Sequence, residues 1–268
     1  MSRLFGLLAT LGVAVAASGC EPELNVGAWP CTSSSGPAGT MPDGSVGPTR
    51  DPIASPWKNG FEDGFCGYAH AKGFCYASAA AAYELVEAPV HSGLHAVRFT
   101  VLDQPKPDGT QARCVREGKL PVDAVYGAWF FLTATATVTA NWNLMYLNSG
   151  TDEDRSLRGQ WDVSLGNADD GSLTLHVLNH LTGLPLDGER EVRLNTWFHV
   201  EFRWRRAEDM TGKVALYKDG ELVVEAEDLQ TERSGATWQQ WYVGNLVEEV
   251  TPPDSTLYVD DVSIAPPP

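Results

Sequence analysis

From residue 57 onward, apolar and polar residues alternate with a period of two. In Trp197-Phe198-His199-Val200-Glu201-Phe202-Arg203-Trp204-Arg205, four apolar residues (Phe198, Val200, Phe202, Trp204) fall on one face. His199, Glu201, Arg203 and Arg205 fall on the other. Successive side chains of a strand point to opposite faces, so this pattern predicts a half-buried β-strand. The same alternation runs through 95–101, 125–132, 142–148, 160–165 and 172–178. Segments 213–217 and 221–225 flank Lys218-Asp219-Gly220, and Asp-Gly between two strands predicts a hairpin. The alanines of 77–86 leave helix and strand both open there. Many short strands separated by Gly and Pro predict an all-β domain over 57–268, two antiparallel sheets packed face to face.

The N-terminus follows a different pattern. One charge, Arg3, precedes an apolar run from Leu4 to Ala17, then Ala17-Ser18-Gly19-Cys20. A basic start, a short apolar core and small residues at a cut site predict a signal peptide over 1–19. A bilayer span needs about 20 apolar residues, and this run is shorter. The cut site resembles the lipobox of bacterial lipoproteins, which implies lipidation of Cys20. In such proteins an Asp after the cysteine often retains the anchor at the inner membrane; Glu21 stands there instead, so the expected location is the cell envelope, outer membrane rather than inner. Residues 20–56 are rich in Pro, Gly, Ser and Thr, a composition that buries too little apolar surface to fold and reads as a flexible tether.

Composition narrows the partners. The 268 residues carry a net charge of −16, and removal of 1–19 takes away Arg3 and no acid. Nucleic-acid binding needs a basic stripe, so it is excluded; a monomer with the membrane and a glycan as its partners is expected. After Cys20 four cysteines remain, Cys31, Cys66, Cys75 and Cys114. An even number outside the cytoplasm predicts disulfides. Proximity in sequence favours Cys66 with Cys75, which leaves Cys31 with Cys114.

Three segments then resemble one family. Asn59-Gly60-Phe61-Glu62-Asp63-Gly64 is similar to the opening strand of extracellular jelly rolls. Asn195-Thr196-Trp197-Phe198-His199-Val200, followed by Val214 to Val223 with its Asp219-Gly220 turn, resembles the concanavalin A-like lectin/glucanase superfamily. Leu257-Tyr258-Val259-Asp260-Asp261-Val262-Ser263-Ile264 resembles its closing strand. The resemblance implies a jelly-roll β-sandwich, also used by laminin G-like modules and polysaccharide lyases. It does not fix a function, because one fold hosts many.

Candidate chemistry follows from specific residues. Acids on the opening and closing strands, Glu62 with Asp260 or Asp261, match the places where similar jelly rolls hold a structural Ca²⁺, a cation that takes hard oxygen ligands. His176 and His180 would share a face on a helix, but on a strand they start about 13 Å apart, too far to share a metal. The family's lyases use an Arg against the uronate carboxylate and a His or Tyr as base. Arg113, Arg116, Asn143 and Tyr242 fall near those places, while the accompanying acid, Gln and His are missing. The paired carboxylates of a glycosidase are missing too. Nine tryptophans offer a sugar platform at Trp238, Trp241 and Tyr242, with most of the others expected in the core. The reading is a carbohydrate-binding module without catalysis, with His176 an exposed ligand-side residue. The rivals are a polysaccharide lyase or hydrolase and a structural or protein-binding envelope module.

Overall fold

The computed structural model describes residue 53 and residues 55–70, 73–104, 109–151 and 158–268. Cys20, Cys31 and nearly all of the tether lie outside the described residues. The elements run β1 (Trp57–Asn59), α1 (Cys66–His70), β2 (Gly73–Ala77), β3 (Ala81–Val86), β4 (Ala96–Val101), β5 (Thr110–Gly118), β6 (Asp123–Leu132), β7 (Thr137–Gly150) and β8 (Arg158–Asn167). They continue as β9 (Leu173–Asn179), β10 (Leu184–Glu191), β11 (Phe198–Arg205), β12 (Gly212–Lys218), β13 (Glu221–Leu229), β14 (Trp238–Thr251) and β15 (Ser255–Ala265). The segment left open between helix and strand is strand at β3, paired with β4. No helix among the described residues is long and apolar enough to cross a membrane.

The strands form two antiparallel sheets. One runs β13-β12-β11-β6-β15-β4-β3 with β1 also on β15; the other runs β10-β9-β8-β7-β14-β5-β2. This is the expected two-sheet jelly-roll sandwich. Its inner faces are the apolar halves of the alternating segments: Phe198, Val200, Phe202 and Trp204 of β11 face Trp161, Val163 and Leu165 of β8 within one core. Each large side chain fully buried there contributes about 1.5–3 kcal/mol. Ile53 joins that core, its amide bonded to the Lys119 carbonyl. The hairpin between β12 and β13 turns at Asp219 and Gly220, both at positive φ (53° and 78°), which the strand twist requires of a two-residue loop. Trp57 pairs with Ile264, so the first and last strands among the described residues lie side by side.

The disulfide differs from the expected pairing. Cys75 of β2 and Cys114 of β5 sit directly opposite each other and are joined. Cys66 is disulfide-bonded as well, to neither of these. Sequence proximity misled because the short helix α1 takes Cys66 off the strand, while antiparallel pairing brings together cysteines 39 residues apart.

Candidate functional site

The outer face of the seven-stranded sheet carries a cleft of about 430 Å³ crossing β2, β5, β14, β7 and β8. Alternation explains its make-up. On β5, Ala112 and Cys114 point between the sheets, so Arg113 points outward. Across from Arg113 stands Gly244 of β14. A Cβ on Gly244 would lie 2.8 Å from the Arg113 Cα and 2.5 Å from the Ala112 carbonyl oxygen; only glycine lets the two strands approach there.

Arg113 is 3% exposed although it faces outward, because side chains wall it in. Its Nη2 donates to Asn143 Oδ1 at 2.6 Å. Its guanidinium carbon lies 5.5 Å from the ring centre of Tyr146 and 5.6 Å from that of Tyr242, within reach of a cation–π attraction. The Tyr242 hydroxyl donates to Gln240 Oε1 at 2.6 Å, and Gln240 in turn donates to Glu117. Burial pushes both the Tyr242 phenol and the Glu117 carboxyl above their usual ranges. Tyr76, from β2, packs its ring against Tyr242 and donates its hydroxyl to Gln111 Oε1 at 3.1 Å. Burial raises its phenol too.

The opposite wall is an ion pair. His180 Nε2 lies 3.0 Å from Asp162 Oδ2, and Asn141 Nδ2 donates to the same oxygen at 3.2 Å. Asp162 is 2% exposed, and its bond to His180 raises the imidazole pKa above the usual histidine value despite partial burial. The Tyr146 ring stands edge-on to His180, 6.0 Å between centres. The cleft therefore presents groups that hold protons near neutral pH: a guanidinium, which stays charged in proteins, a histidine drawn towards imidazolium, and raised phenols. Such a set donates hydrogen bonds to an anionic, hydroxyl-rich ligand. His180, its pKa raised towards the working pH, and the tyrosine hydroxyls are also the kinds of group that move protons.

Of the residues singled out in the sequence, Arg113, Asn143 and Tyr242 meet here. Arg116 does not: as an even-numbered neighbour on β5 it points into the core and is 1% exposed. His176 lies on the same outer face but in a separate hollow of about 510 Å³ over β8, β9 and β10. It lies on the outward face as expected but is half-buried there, and burial lowers its pKa. Trp241 is 1% exposed and packs against Trp57 and Tyr126 inside the sandwich. Trp238 is 2% exposed, its indole N–H donating to the Thr151 carbonyl at 3.2 Å. Neither tryptophan offers a face to a sugar. Adjacent strand residues face opposite ways, so Trp241 and Tyr242 could not both line one platform. Sequence reasoning missed Tyr76, Tyr146, Asp162 and His180. The pairing of His180 was weighed only against His176, whereas its partner is one strand away.

The acids assigned to calcium meet at one loop. Glu62 accepts hydrogen bonds from the amides of Leu94 (3.0 Å to Oε2) and His95 (3.2 Å to Oε1). Asp260 Oδ2 accepts from the amides of His91 at 2.9 Å and Ser92 at 3.2 Å. Asp261 Oδ2 turns instead to His91 Nδ1, 2.7 Å away. Carboxylate oxygens are the ligand type that Ca²⁺ takes, and Glu62 and Asp260 are the residues that would hold it. No group of three acidic, His or Cys side chains placed to hold a metal occurs among the described residues, and the loop presents amide N–H groups to both carboxylates.

No family model and no curated protein matches the chain. Solved structures do match in fold. An endo-β-1,4-glucuronan lyase from the fungus Trichoderma reesei superposes with a TM-score of 0.55 at 15% identity, covering 70% of this chain and 87% of that one. Cip1, a cellulose-induced protein, superposes at 0.53 and 14% identity, covering 78% and 96%. At these identities the likeness establishes the jelly-roll architecture that the sequence resemblance implied.

Proposed function

We propose that the cleft binds a carbohydrate chain bearing carboxylates and does not cleave it. The observation that carries this reading is Arg113, set against two tyrosine rings in the cleft that the His180–Asp162 pair also lines. An arginine so placed suits a carboxylate, which its fork of donors matches, while tyrosine rings and amide side chains suit sugar faces and hydroxyls. The fold likeness to a protein named for a uronate polymer supports the same ligand class. The chain's charge of −16 repels a polyanion at a distance, but physiological salt screens exposed charges beyond about 8 Å, so the cleft's own groups decide affinity. A glycan array including uronate oligomers tests the reading; retention of neutral glycans only, or of none, overturns it. The meeting of Arg113, Asn143 and Tyr242 in one cleft favours a lyase as the second reading. Ultraviolet absorbance of an unsaturated product, appearing on incubation with uronate polymers, would establish that reading instead.

The histidine gives a pH dependence. His180 has a raised pKa, so its charge is present below that value and lost as pH rises through it. A hydrogen bond from a charged donor contributes about 1 kcal/mol more than a neutral one, so affinity for a uronate oligomer should fall about fivefold across that titration. His180→Asn should bind with a flat profile; an unchanged profile in the variant excludes His180 as its source. The sign for folding is the same: the His180–Asp162 pair stabilises fully below the ordinary histidine pKa of 6.5 and fades as pH climbs through the raised one.

Two further features belong to this proposal. A structural Ca²⁺ on Glu62 and Asp260 is proposed from the resemblance of the opening and closing segments to jelly rolls that hold one. Added calcium is expected to raise the melting temperature of wild type and not of Glu62→Gln, and coincident curves with calcium and with chelator would remove the ion. Cys20 is proposed as the lipidated anchor in the cell envelope. Radiolabelled palmitate should enter wild type and not Cys20→Ser, and equal labelling of both contradicts the anchor.

A further inference from the structure

Behind the cleft, between the sheets, lies a buried cation without a counter-charge among the described residues. Arg116 is 1% exposed, and its guanidinium carbon sits 4.0 Å from the centre of the Trp57 ring. Its Nε and Nη1 are buried and have no hydrogen-bond partner. Two more unpartnered donors border it. The indole N–H of Trp241 belongs to the residue directly across from Arg116 on β14. The hydroxyl of Tyr68, which is fully buried, belongs to a ring 5.4 Å from that of Trp57. Trp57 also stands edge-on to Trp241 at 6.5 Å, so these four side chains share one interior corner. Burial lowers the Arg116 pKa to about 10, which leaves it charged at neutral pH, and no carboxylate is among the groups that act on it.

A buried charge without a partner costs several kcal/mol, and each unsatisfied buried donor adds its own penalty. Water would accept the hydrogen bonds and leave the charge uncompensated. A small anion does both. We infer that this corner binds a monovalent inorganic anion of halide size, held by Arg116, Trp241 and Tyr68 under the Trp57 ring. Chloride outside the cytoplasm is the natural occupant. Trp241 sits between Gln240 and Tyr242 in sequence, so the anion would stiffen the strand that floors the cleft.

Bromide is the probe. Crystals of the full chain soaked in sodium bromide should show an anomalous peak within hydrogen-bond reach of the Arg116 guanidinium. The melting temperature should rise in sodium bromide or chloride relative to sodium gluconate at equal ionic strength. That halide difference should vanish in Arg116→Met. Should that variant fail to fold, Trp241→Phe, which removes one donor and keeps an aromatic ring, should shrink the difference. An ordered water with no anomalous signal at Arg116, or equal melting in all three salts, overturns the site.

Discussion

Replacing Arg113 by Met is expected to abolish most of the affinity for uronate oligosaccharides. A hydrogen bond to a charged group contributes about 1.5–3 kcal/mol, so the dissociation constant should rise about 10- to 150-fold. Methionine fills the space beside the rings of Tyr146 and Tyr242 with a flexible apolar chain. It also leaves the Asn143 Oδ1 that Arg113 now satisfies without its donor, a stability cost of about 1–3 kcal/mol. Calorimetric titration therefore belongs well below the variant's own melting temperature. Arg113→Lys separates charge from shape: it keeps the cation and loses the planar group that lies against the two rings, so an intermediate affinity is expected. Wild-type affinity in Arg113→Met would remove the cleft from consideration.

Removing the bond between Cys75 and Cys114 should lower stability by an amount of similar size. A loop of 39 residues gives about 4 kcal/mol in the chain-entropy account of disulfides. For a domain of about 200 residues each kcal/mol shifts the melting temperature by about 2–4 °C, so a fall of about 8–16 °C is expected. The clean comparison is Cys75→Ala with Cys114→Ala, because a reductant would also open the separate bond of Cys66. Peptide mapping of the oxidised protein should recover Cys75 linked to Cys114. Recovery of Cys66 linked to Cys75, or a variant that melts with wild type, contradicts the assignment.

The fold was legible where the alternation was unbroken. The segment of β11 showed its buried and exposed halves directly, and the Asp219-Gly220 hairpin showed its turn chemistry. The meeting of the chain ends followed from the closing-strand resemblance. The site was legible only in part, because it depends on register. In β7 a bulge lies between Asn143 and Met145 in the pairing with β8. Trp142 and Met145 consequently both point inward, and counting by twos from Trp142 puts Tyr146 on the wrong face. The extra residue of such a bulge carries no signature in a single sequence. His180 lies just beyond β9, where alternation no longer predicts direction, and its partner Asp162 comes from an earlier strand. The platform tryptophans misled for another reason. Trp161 and Trp204 lie in the core as expected, and the core takes Trp241 as well while Trp238 is buried too, so neither is left to face a ligand.

The central claim, a cleft that holds an acidic glycan intact, meets its most direct test in a crystal structure of the wild-type protein with a uronate tetrasaccharide. The predicted result is an unbroken sugar chain along the outer face of the seven-stranded sheet, with one carboxylate on the Arg113 guanidinium and a sugar ring beside Tyr146 and Tyr242. An unsaturated fragment in the cleft, or a sugar seated anywhere else on the molecule, would contradict it.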